Sequence, residues 1–212
     1  MRLVEERLVE NFKRIFVGFF LTFLPAWIGL VVVPVRHFAR EKKETAPTIA
    51  TNEALVREGE RVYAANGCIY CHSQQVRPSP FSDDIERGWG DRRTTPQNYL
   101  NDQRIFLGTS RTGPDLSNIG ARQSSTSWHY QHLYDPRSVS PGSIMPPFRF
   151  LFEKRPLTGQ PDPDALVFNA SKIVGGNSQI VPNRDAHALV AYLTSLRRAT
   201  SPPTTAQNQT NP

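Results

Sequence analysis

From Ile15 to Val35 the chain carries no charged residue: IFVGFFLTFLPAWIGLVVVPV. Lys13 and Arg14 stand before this run, and Arg36, Arg40, Lys42 and Lys43 stand behind it. An apolar run of this length crosses the hydrocarbon core of a bilayer as one helix. Residues 15–38 are therefore expected to be a transmembrane helix, preceded by a short segment over residues 1–14. Pro25 can bend such a helix, and Trp27 falls in mid-span. A cleaved signal peptide has a shorter apolar region, about 7–15 residues, with a small-residue cleavage site just behind it. Here the run is longer and ends in Arg-His-Phe-Ala-Arg, which favours an uncleaved anchor. A buried core helix fits less well, because so few polar positions interrupt the run. Basic residues flank both ends, so their count does not set the orientation.

Beyond the anchor, residues 39–52 read as a polar linker containing Pro47. Helical spacing then returns. Leu55, Val56, Gly59, Val62 and Tyr63 share one face. They predict a helix from about Asn52, its N-cap, to Ala65, with Glu53 where the helix dipole favours a carboxylate. Gly67 ends it. A second stripe, Ala188, Leu189, Tyr192, Leu193 and Leu196, predicts an amphipathic helix over residues 184–198. Asp185 near its start and Arg197 and Arg198 near its end suit its dipole. Gly59 lowers helix propensity, which predicts that the second helix crosses the first at that point. Between the two helices Pro, Gly and Arg are frequent, and only short helices are expected. Residues 199–212, ATSPPTTAQNQTNP, read as a disordered tail. The fold class is mainly α, with one membrane helix and one domain over residues 53–198 rich in irregular loops. There is no internal repeat.

Charge changes this picture little. The formal net charge is +6, and no basic block or basic helix stands out, so nucleic acid is not an expected partner. The cysteines change it more. The chain has two, and both lie in NGCIYCHSQQ, residues 66–75, which excludes a disulfide framework. Three readings of this string compete: a short-loop disulfide or redox dithiol, half of a zinc site, and a haem attachment. Zinc needs four ligands, and no further cysteine exists. A redox C-x-x-C does not require the histidine that follows. C-x-x-C-H is the attachment signal for c-type haem. Cys68 and Cys71 lie about one helical turn apart, so both sulfurs can reach the vinyl groups of one porphyrin, and His72 can ligate its iron. One covalently attached haem c is the expected cofactor. It is also expected to supply much of a core whose apolar side chains are sparse.

A c-type haem commonly takes methionine or histidine as its second axial ligand. Met145 is the only methionine besides Met1. It sits in SIMPPF, where Pro146 and Pro147 stiffen an extended loop. Core filling is the ordinary use of a lone methionine, but this setting favours a ligand. His129 and His132, in WHYQH, are rivals. A ligating imidazole needs an acceptor for its other nitrogen, and in RTGPDL, residues 111–116, the Pro114 carbonyl is the candidate. Arg111 could pair with a haem propionate. An ordinary turn is the alternative for this string. Because c-type haem is attached outside the bacterial inner membrane, the domain is expected on the periplasmic side and the N-terminus in the cytoplasm.

The haem motif, RTGPDL and SIMPPF, in that order between two helices, resemble a class I cytochrome c domain. GCIYCHSQQVRP, FLGTSRTGPDL, SWHYQHLYDPRSVSPGSIMPPF and DAHALVAYL are similar to the monohaem subunit II of cbb(3)-type cytochrome c oxidases. The resemblance spans most of residues 12–198; residues 82–104, which are polar and Arg-rich, and the Pro/Gly-rich stretch in 154–182 depart from it. It implies thioether roles for Cys68 and Cys71 and axial roles for His72 and Met145. It also implies electron transfer from a soluble cytochrome c donor or a sister cytochrome c subunit to a haem–copper catalytic subunit, with no bond chemistry by this chain. A cytochrome subunit of nitric oxide reductase and a free-standing membrane-bound shuttle are the alternatives. A haem sensor would tend to leave one axial position open, and Met145 argues against that.

Overall fold

A computed structural model describes residues 2–44, 52–166 and 178–199. The fold is mainly α, as the sequence predicts. The N-terminal helix and the domain that follows form separate compact units. The first unit runs without a break through α1 (Arg2–Trp27), a π-helical turn (Ile28–Val32) and α2 (Val33–Glu44). The π turn has a local cause. Pro34 has no N–H to offer the Leu30 carbonyl, and just before it the Val33 N–H reaches back to the Ile28 carbonyl, widening the helix by one residue. Thr22 likewise folds its hydroxyl onto the Gly18 and Phe19 carbonyls, at 3.1 and 3.0 Å. Val9–Arg40, with a mean hydropathy of 2.3 in its most apolar window, is long and apolar enough to cross a membrane. Residues 39–44, the start of the expected linker, are helical. Residues 45–51 of that linker and 200–212 of the expected tail lie outside the described residues, whereas Ala199, the expected first residue of the tail, is buried and donates its N–H to Asn118 Oδ1 at 3.3 Å.

The domain is built on α3 (Glu53–Ala65) and α7 (Arg184–Ser195). They cross at Gly59, where a Cβ would lie 1.9 Å from the Ala188 carbonyl oxygen. Only glycine permits that approach. Asn52 is the N-cap of α3, but its side chain makes no capping bond. Asn183 caps α7 by accepting from the Ala186 N–H at 3.0 Å. The second helix stops three residues before the predicted end. At Leu196 the backbone turns extended, and its carbonyl accepts from the Gly120 N–H at 3.0 Å. Arg197 and Arg198 therefore lie beyond the last turn.

Short helices fill the space between: α4 (Ile119–Arg122), α5 (Thr126–Tyr134), capped by Ser125, and α6 (Pro136–Val139), which begins at a proline. Two strands, β1 (Phe152–Pro156) and β2 (Ser178–Pro182), pair antiparallel with Phe152 opposite Pro182. They occupy the region that the sequence pattern left unassigned. In the core the Tyr63 ring lies 5.3 Å from Phe106 and 5.4 Å from Tyr192, centroid to centroid, beside Leu116, Ile119, Leu189 and Leu193.

Candidate haem site

The site begins where α3 stops. Gly67 takes a left-handed conformation, φ 66°, which costs glycine nothing. Cys68–Tyr70 then makes a single 3-10 turn. The His72 N–H donates to the Cys68 carbonyl at 2.9 Å, so both thiols and the imidazole stand on one tight turn. Cys68 is half-buried and Cys71 exposed, and they are not bonded to each other. Burial pushes the Cys68 thiol up to about 11.

The RTGPDL turn closes over this segment. The Gly113 N–H donates to the Cys71 carbonyl at 2.8 Å. His72 Nδ1 lies 2.8 Å from the Pro114 carbonyl oxygen. A carbonyl only accepts, so Nδ1 carries the proton and Nε2 is left as the basic nitrogen. Burial pushes the His72 pKa down, which favours the neutral imidazole that a metal requires. Gly113 packs on the ring so closely that a Cβ there would lie 2.3 Å from Cε1.

Cys68, Cys71, His72, Pro114 and Met145 all line one cavity of ≈ 470 Å³, a size within the ~300–1,000 Å³ usual for cofactor sites. Met145 is half-buried, and its N–H donates to Ser143 Oγ at 3.3 Å. Its loop is tied to α5 by the Phe148 N–H, which donates to the Leu133 carbonyl at 2.7 Å. His129 and His132 line the cavity too. His129 is buried, with Nε2 2.9 Å from the Gln123 carbonyl oxygen. Among the described residues no group of three or more His, Cys, Asp and Glu could hold a bare metal ion, so the zinc reading has no ligand set. A buried neutral imidazole, a thioether and an apolar wall of Leu116, Ile119, Leu189 and Leu193 fit a haem.

Arg111 is not among the residues that line the cavity. Its guanidinium pairs with buried Asp84, donates to Ser82 Oγ at 3.0 Å and to the Gln75 carbonyl at 2.6 Å, and lies 5.5 Å over the Trp89 ring. The carboxylate it pairs with is the side chain of Asp84. Asp84 also accepts from the Arg77 N–H at 2.7 Å. A second buried carboxylate, Asp115, accepts from Ser73 Oγ and the Gln75 N–H at 2.6 and 2.7 Å. The sequence reading missed both carboxylates. Together these bonds fasten residues 73–77, directly behind the haem motif, to the turn that holds His72.

A family model described as cytochrome c oxidase, mono-heme subunit/FixO matches residues 7–162. The chain belongs to that family. Membership implies a haem, a place in electron transport and association with an oxidase complex. The match takes in the membrane-length helix, both cysteines, His72 and Met145, and it ends before β2 and α7. A comparison with curated protein sequences found no match.

Proposed function

We propose that the cavity takes one haem c, joined through thioether bonds to Cys68 and Cys71, with His72 and Met145 as its axial ligands. The chain then serves as the electron-transfer subunit II of a cbb(3)-type cytochrome c oxidase. It is held in the bacterial inner membrane by its single apolar helix, with the domain on the periplasmic side. It takes electrons from a soluble cytochrome c or a sister cytochrome c subunit and delivers them to the haem–copper catalytic subunit. The observation that carries this reading is the His72 Nδ1 to Pro114 bond at 2.8 Å, in a cavity that Cys68, Cys71 and Met145 also line.

When bound, the haem supplies one-electron exchange between Fe(II) and Fe(III). The chain's residues do the rest. The Pro114 carbonyl fixes the His72 tautomer and orients Nε2. Gly113 allows the turn to lie against the imidazole. Met145 offers a soft, uncharged donor, which favours Fe(II) and raises the potential. The apolar wall excludes water. The test is direct. Full-length protein from cells that mature c-type cytochromes should keep its haem after denaturation, gain the mass of one haem, and give a c-type pyridine haemochrome. Purified in mild detergent, it should bring a haem–copper oxidase subunit with it. Haem lost on acid-acetone extraction would reject covalent attachment, and co-purification with a nitric oxide reductase would reject the oxidase assignment.

A further inference from the structure

The cavity wall poses a charge problem. Among the described residues that line it, none is Lys, Arg, Asp or Glu. A haem carries two carboxylates, and a carboxylate against a wall of this kind needs a hydrogen-bond donor. Some side-chain donors on the wall are already engaged. His129 Nε2 faces the Gln123 carbonyl at 2.9 Å, and Thr112 shares a bond with Ser110 at 3.1 Å. His132 differs. Its Nδ1 is buried and has no hydrogen-bond partner, a state shared on this wall by the hydroxyl of Tyr63, whose ring packs against Phe106 and Tyr192 in the core. A buried polar atom in that state is destabilising. The His132 ring is nonetheless held in place, stacked on Trp128 with centroids 4.7 Å apart and planes 8° from parallel.

We propose that His132 is a haem-binding residue that donates a hydrogen bond from Nδ1 to one haem carboxylate, with Trp128 holding its ring flat for that purpose. This rests on the haem reading above. Burial pushes the His132 pKa down, and an imidazole N–H at Nδ1 can donate to a carboxylate in either charge state. The described lining residues include no arginine, and Arg111 pairs with Asp84.

The test compares H132F and H132N in the full-length haem protein. Phenylalanine keeps a flat ring for Trp128 to stack on and removes the donor. Asparagine offers an N–H close to the position of Nδ1. Without the donor the carboxylate's charge is less compensated and its own pKa rises. H132F should therefore lower the reduction potential and make it vary more steeply with pH, with haem content unchanged, and H132N should restore both toward wild type. A wild-type potential and pH profile in H132F would overturn the proposal. So would a wild type that lacks the sulfur–iron(III) absorption band while H132F shows it, because that would put His132 at the distal position. If both variants fail to mature, wild-type protein labelled with 15N-histidine decides. A slowly exchanging His132 Nδ1 proton with Overhauser contacts to the propionate methylenes supports the bond, and its absence overturns it. A wild-type chain without any c-type haem would instead overturn the function proposed above.

Discussion

Met145 brings the strongest consequence that one side chain can have here. It is a thioether on the wall of a cavity that His72 also lines. Met145→His should keep the haem, since Cys68, Cys71 and His72 are untouched. It should lower the reduction potential substantially, because imidazole favours Fe(II) less than a thioether does. The weak long-red band of a sulfur–iron(III) bond should vanish, and redox titration with absorption spectra checks both points. An unchanged potential and spectrum would mean that Met145 is not a ligand. Asp84 carries a second prediction. Burial by itself would raise its carboxyl, but hydrogen bonds from Arg111, Ser82 and the Arg77 N–H outweigh that and hold it below the usual range. The stabilisation is therefore present above the unfolded pKa of about 3.9 and is lost as pH falls through the lower folded value. Asp84→Asn leaves the half-buried Arg111 with only the longer ion pair to Asp115 at 3.9 Å, at a cost of about 1–3 kcal/mol near neutral pH. Denaturant melts should show that gap, and it should narrow in strong acid; a gap independent of pH would mean that packing, not charge, is what the substitution disturbs. The contrast between these residues shows what was legible. C-x-x-C-H and Gly-Pro are local strings, and local strings can be read along the chain. The tie between Arg111 and Asp84 joins positions in different loops, and nothing in either string announces it.

At the scale of elements, periodicity reads well where a segment has one buried stripe. It found α3 and α7, and a single glycine placed their crossing. Gly59→Ala would put a methyl group 1.9 Å from the Ala188 carbonyl oxygen, which belongs to backbone and cannot rotate aside. The helices must separate, so the loss should reach or exceed the ~1–3 kcal/mol typical of overpacking. Thermal unfolding followed by circular dichroism measures it; a melting temperature equal to wild type would show that the crossing is loose. The strands escaped the same method for a physical reason. Phe152 alone is buried in β1, and β2 buries three consecutive residues, so neither alternates with the period of two that marks a half-buried strand. The π turn was invisible too. It depends on how the backbone accommodates Pro34, and side-chain hydropathy carries no trace of that. The end of α7 shows the converse error, in which charge suited to a helix terminus was taken to extend the helix, whereas the Gly120 N–H captures the Leu196 carbonyl first.

For the molecule as a whole, the two units answer to different solvents. The helix exposes Phe12, Phe16, Leu21 and Leu30 by half or more of their surface, which water would penalise and lipid does not. Full-length protein should stay with the membrane pellet through a high-salt or alkaline wash, and release by such a wash would mean that the helix does not span. The domain poses the opposite problem, because its centre is a cavity of ≈ 470 Å³ with Tyr63, Leu116, Ile119 and Leu189 on its walls. Unfilled, that volume leaves apolar walls exposed to water or without packing partners, and both destabilise the fold. On the proposed function the haem would be a core element alongside α3 and α7. A chain with Cys68→Ala and Cys71→Ala cannot form thioether bonds, and it should keep helical signal yet lose a sharp thermal transition, bind a hydrophobic dye and be cut readily by protease within residues 66–150. Free haem added back should restore part of the cooperativity through His72 and Met145, since a ligand that binds only the folded state stabilises it by mass action. A sharp, dye-free transition in the doubly substituted chain would show that α3 and α7 with their neighbours close the core unaided, and that the haem is a passenger in the fold.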